Sequence, residues 1–152
     1  MTQVKICGIA SKGDAFAAVN CGADALGFIF YPPSPRYIKP DDAEKIIRVL
    51  PDKVVKVGVF VNEQPKNIKK LVETCGLDMI QLHGDESPDD CRLFPSQVLI
   101  KAVELKNEFD LTPACAYPVA AILVDNRHAG RYGGTGKKSN WDLAGVLRGK
   151  KP

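Results

Sequence analysis

A thiol and a carboxylate end two of the chain's apolar runs. Ile6-Cys7-Gly8 closes the first, and the run Val119 to Val124 passes directly into Asp125. In a β/α protein the carboxyl ends of the strands are where ligands are met. A thiolate and a carboxylic acid placed there could divide a proton transfer, one taking a proton and the other supplying it. Each residue also has a plainer use. A cysteine near a strand end packs as a small apolar side chain, and an aspartate after a strand caps a turn.

The other strand ends add Phe30-Tyr31 with Arg36, then Asn62, His83 and Glu104. Three prolines in Pro32-Pro33-Ser34-Pro35 stiffen the loop that carries Arg36. A guanidinium on a stiff loop loses less freedom when it pairs with a carboxylate or phosphate; an exposed arginine on an ordinary proline turn is the other reading. Gln81-Leu82-His83-Gly84 sets an imidazole at a strand end, where it bonds either a ligand or the backbone. Gly133-Gly134-Thr135-Gly136-Lys137 is dense in glycine but departs from the phosphate-loop pattern. Arg131 stands where that pattern needs its first glycine, and Lys138 where it needs Ser or Thr. Such a segment suits a loop that hinges or lets a ligand approach closely.

Short β-branched runs alternate with helical patterns along the whole chain. Strands are expected over 3–7, 24–30, 54–61, 78–82, 98–103 and 119–124. Helices are expected over 13–20, 41–50, 64–75, 87–94 and 141–147, with 105–113 a short helix at best. Pro40, Pro65 and Pro88 mark helix starts, Ser11 and Ser87 are caps, and Gly76 is a stop. Strands apolar on both faces, alternating with helices, mean a parallel sheet covered by helices. The loops 31–39 and 126–140 are long for such connections.

Composition bounds the rest. The 152 residues are 45% hydrophobic and 26% charged, which suits one domain over 1–152. A net charge of +3, from 21 basic and 18 acidic residues, gives no footprint for nucleic acid. The opening residues read straight into a strand, and no apolar run approaches a membrane span. Cys7, Cys21, Cys75, Cys91 and Cys115 are odd in number and widely spaced, which argues against a disulfide framework and for a reducing cytoplasm. With only His83 and His128 beside them, no metal site is expected.

Taken in order, Val4–Ile9, Gly22–Tyr31, Ser34–Ile38, Val57–Asn62, Ile80–Glu86, Ile122–Asp125 and Gly133–Lys137 with Trp141 resemble the phosphoribosylanthranilate isomerase family. The resemblance implies a TIM (βα)₈ barrel and a cofactor-free Amadori rearrangement in tryptophan biosynthesis. It implies that Asp125 is the general acid on the furanose ring oxygen and Cys7 the general base on the neighbouring sugar carbon. Arg36 would pair with the anthranilate carboxylate, and His83 would line the site. The partner implied is a small phosphosugar–anthranilate, with no nucleic acid and no membrane.

Length departs from that pattern. A (βα)₈ barrel needs about 200 residues, so an incomplete barrel of about six βα units with a parallel sheet is expected. The glycine-rich loops that hold phosphate in the family have no counterpart here, and no phosphate-binding residue is assigned. The first and sixth strands would be edges. A longer natural chain is the favoured explanation. Self-association, a complementing carboxyl-terminal segment or a flattened sheet are the others. Two further readings stand beside the isomerase: a non-catalytic barrel fragment, and a doubly wound receiver-like module. The last needs an acidic cluster at the first strand end, where Lys5, Cys7 and Gly8 stand.

Overall fold

A computed structural model describes residues 2–126 and 140–149. They fall into two compact units, Met1–Ile80 and Gln81–Pro152. Strands and helices alternate as the apolar patterning requires. The strands are β1 (Lys5–Cys7), β2 (Ala25–Ile29), β3 (Val55–Phe60), β4 (Met79–Leu82), β5 (Leu99–Val103) and β6 (Ala121–Val124). They take chain order in the sheet, β1 to β6. The helices are α1 (Lys12–Asn20), α2 (Pro40–Ile47), α3 (Pro65–Cys75), α4 (Pro88–Cys91), α5 (Leu111–Cys115) and α6 (Trp141–Arg148).

In the first unit β1, β2 and β3 pair in parallel, with Cys7 opposite Gly27 and Gly27 opposite Val57. Leu26, Phe28, Val57, Val59 and Phe60 are buried, as are Ala43, Ile46 and Ile47 of α2 and Ile68 of α3. Phe30 stacks on Phe60 with ring centroids 5.4 Å apart. The helix signals work as read. Ser11 Oγ accepts from the Asp14 N–H, proline opens α2 and α3, and Gly76 takes the left-handed conformation that ends α3.

A device absent from the strand-and-helix patterning recurs twice. Gly22-Ala23-Asp24 and Gly76-Leu77-Asp78 precede β2 and β4. Each aspartate donates its own N–H to a carbonyl in, or one residue before, the preceding strand and takes an N–H back on its carboxylate. Asp24 exchanges in this way with Val4 (2.9 and 2.7 Å), and Asp78 with Lys56 (2.8 Å each). Each clamp fixes the entry of a new strand against the one before the intervening helix.

In the second unit β5 and β6 pair in parallel, with Val103 opposite Val124. Leu105, Leu111, Ala114, Leu143 and Leu147 form its core, with Val103, Ile122 and Val124 packed against them. Here the helices depart from expectation. α4 is one turn, although Ser87 and Asp90 close a full capping box at its start. Helical structure in the segment over 105–113 begins only at Glu108, because Asn107 and Asp110 form a second capping box there, and it continues into α5. Among the described residues no helix is long and apolar enough to cross a membrane.

Candidate active site

In the first unit the end of β1 is built by glycine. Gly8 has φ +91°, and both its N–H and that of Ile9 donate to the carbonyl of Gly27 (2.9 and 3.0 Å). This turns the chain sharply past Cys7, which is half-buried. Gly27 on β2 has no side chain, so Cys7 Sγ can lie against it; a Cβ there would come within 2.8 Å of the sulfur. The proline loop folds back along β2, with Ile38 N–H donating to Ile29 O at 3.1 Å and Tyr37 N–H to Ser34 O at 3.1 Å. It thereby lays Arg36 over the Cys7-Gly8 turn, where Nη1 donates to the Cys7 carbonyl at 3.1 Å. A Cβ on Gly8 would meet Arg36 Cδ at 2.6 Å. Cys7 and Arg36, read separately from the sequence, thus share one corner. Asn62, after β3, sits at φ +50°, a conformation asparagine tolerates better than most residues.

In the second unit the ladder carries Asp125 one step past β6, its N–H donating to Val103 O at 2.9 Å. Asp125 Oδ1 accepts from the N–H of Asn126 at 2.8 Å. Its Oδ2 lies 2.9 Å from Nε2 of His83, whose side chain is 11% exposed against 30% for the aspartate. His83 is therefore placed as a partner of Asp125. Its Nδ1 is met in turn by Gln81 Nε2 at 2.7 Å.

Beside this row lies a buried ion pair that sequence reading missed. Lys101, in the middle of β5, is 1% exposed. Its Nζ donates to Glu86 Oε2 at 2.9 Å and to the carbonyl of Gly84 at 2.8 Å. Glu86 also accepts from the Gly84 N–H at 2.9 Å, which pins the turn after His83. A lysine inside Leu99-Ile100-Lys101-Ala102-Val103 was the available signal, since a buried ammonium requires a carboxylate. Burial pushes the thiol of neighbouring Cys91 up to about 11, with Lys101 drawing it partly back. A cleft of about 320 Å³ opens next to the pair, lined by Gly84, Lys101, Glu104, Asp110 and Tyr117 among others. Glu104 is held by Lys106 at 2.9 Å. The loop 133–137 and His128 lie outside the described residues.

Parallel strands in chain order, linked by helices, with Cys7 and Asp125 at carboxyl ends, define a protein of the TIM-barrel fold class. The family model described as N-(5'phosphoribosyl)anthranilate (PRA) isomerase matches residues 4–149, and the chain belongs to that family. It is 50% identical over 152 residues to N-(5'-phosphoribosyl)anthranilate isomerase of Syntrophus aciditrophicus, covering all of this chain and 66% of the relative. The crystal structure of phosphoribosyl anthranilate isomerase from Thermotoga maritima superposes with a TM-score of 0.89 at 44% identity, covering 100% of this chain and 74% of that one. A second isomerase structure, in complex with reduced 1-(o-carboxyphenylamino)-1-deoxyribulose 5-phosphate, gives 0.85 at 40% identity, covering 100% and 73%. The chain spans about two thirds of the length of the curated relative at 50% identity.

Proposed function

We propose that this chain carries the acid–base groups of an aldose–ketose isomerase acting on N-(5'-phosphoribosyl)anthranilate in the cytoplasm. The observation that carries the reading is Asp125, fixed at a strand end through both carboxyl oxygens, by Asn126 N–H on one side and His83 on the other. A general acid must hold its oxygen in one place, and this one is held while 30% exposed toward solvent. The likeness to an isomerase structure containing a reduced aminodeoxyribulose phosphate supports the substrate class.

In this reading Asp125 gives its proton to the furanose ring oxygen. The bond from that oxygen to the anomeric carbon breaks as the anthranilate nitrogen lone pair forms a protonated imine. The Cys7 thiolate takes the proton from the adjacent sugar carbon, and the electron pair neutralises the imine to an enolamine. That enolamine tautomerises to the ketone. Arg36 uses one donor on the Cys7 carbonyl and offers the rest of its planar fork to the anthranilate carboxylate.

The test is loss of phosphoribosylanthranilate fluorescence, run on this chain and on the chain extended by the two βα units that would complete a (βα)₈ barrel. Cys7→Ala and Asp125→Asn are each expected to cut turnover by about 10²–10⁴-fold while leaving the circular dichroism unchanged. Turnover at the wild-type rate in either variant overturns the role assigned to that residue. Absence of turnover in both lengths favours the reading of a fragment that keeps the motif residues without catalysis.

A further inference from the structure

Gln81 is an expensive residue where it stands. It is 1% exposed in the interior of β4, between buried Ile80 and Leu82. Its Oε1 is buried and meets no hydrogen-bond partner among the described residues. Leucine or methionine would fill the same space without leaving an acceptor unmet. The side-chain hydrogen bond it makes there is to His83, at 2.7 Å.

That bond has a chemical direction. The amide nitrogen donates, so Nδ1 of His83 accepts and carries no proton. The ring proton is then on Nε2, and His83 donates to Asp125 Oδ2 at 2.9 Å. A neutral imidazole free to turn or to change tautomer would present a bare Nε2 as readily as an N–H, and Asp125 would lose that donor. Here the ring's only vacant nitrogen is Nδ1, and the Gln81 N–H faces it.

We propose that Gln81 is a positioning residue that holds His83 as the Nε2–H tautomer, so that the ring donates to Asp125 Oδ2 and fixes that oxygen where it stands. The role rests on the acid function proposed for Asp125, but the tautomer can be read without it. The experiment is ¹⁵N NMR of the full chain labelled at histidine, with the His83 signals identified by their loss in His83→Asn. In its neutral form the wild-type ring is expected to show Nδ1 unprotonated and Nε2 protonated. Gln81→Met removes the opposing donor, and its neutral ring is expected to show a mixture of the two tautomers. Its kcat should fall by tenfold or more while KM is unchanged. A proton on Nδ1 of the neutral wild-type ring, or an unchanged Nε2–H tautomer in a folded Gln81→Met, overturns the proposal; the wild-type spectrum decides even if the variant does not fold. A chain without turnover that shows the Nε2–H tautomer supports the placement of His83 and counts against the isomerase reading. Asp125-dependent turnover with an Nδ1–H tautomer of His83 strikes the proposal alone.

Discussion

In the first unit the backbone places the functional groups, whereas in the second unit side chains place one another. Cys7 and Arg36 meet because Gly8 turns at φ +91°, Gly27 leaves room for a sulfur, and a proline loop folds back along β2. Arg36 itself ends exposed, with a bond to a main-chain carbonyl. Asp125 is held instead through a row of side chains, Gln81 to His83 to Asp125, next to the buried Lys101–Glu86 pair. On the roles proposed above, Arg36 reaches a ligand from a stiff loop, whereas Asp125 depends on neighbours that fix one another's donors.

If this contrast is right, the second unit is the more sensitive to loss of a single partner. Lys101→Met leaves Glu86 buried without its ammonium and is expected to cost about 3–5 kcal/mol in urea unfolding. Lys101→Met combined with Glu86→Leu should recover most of that loss, because a buried pair replaced by apolar groups is often neutral. A double variant no more stable than the single one would break the contrast, since the pair would then not be acting as a unit. The first unit should respond more mildly. Gly8→Ala forces an L side chain into positive φ and against Arg36, with an expected cost of about 1–3 kcal/mol. Adding Arg36→Ala should return only the part due to the collision, which separates backbone strain from contact. The smallest effect is nil at neutral pH. The Cys91 thiol is raised from 9.0 to about 11, so the unfolded chain loses that proton first. Stability should be intact below pH 9 and fall as the pH rises toward 11. Cys91→Ala should flatten that alkaline slope in pH-dependent melting, and an unchanged slope would place its origin elsewhere.

Much of the first unit could be read directly. Apolar runs bounded by Gly, Pro and Ser located β1 to β3 and α1 to α3 to within a few residues, because local signals agreed with tertiary demands there. Cys7, Arg36, His83 and Asp125 were legible as strand-end residues. What escaped were relations across the chain. His83 is separated from Asp125 by 42 positions, and nothing local marks Gln81 as more than a strand residue. Lys101 was visible as a charge in an apolar run, but its partner Glu86 lies in a loop whose path sequence does not fix. The capping box at Asn107 competed successfully with the weak periodicity of 105–113.

The aspartate clamps at β2 and β4 carry a consequence for how the chain comes to be folded. Each joins residues only 20 or 22 positions apart. Closing so short a span costs little chain entropy, and loops of this size close far faster than translation adds residues. A strand–helix–strand module can therefore bring its clamp together before the next has emerged. The register of each new strand is then set from within its own module, without waiting for strands further along the chain.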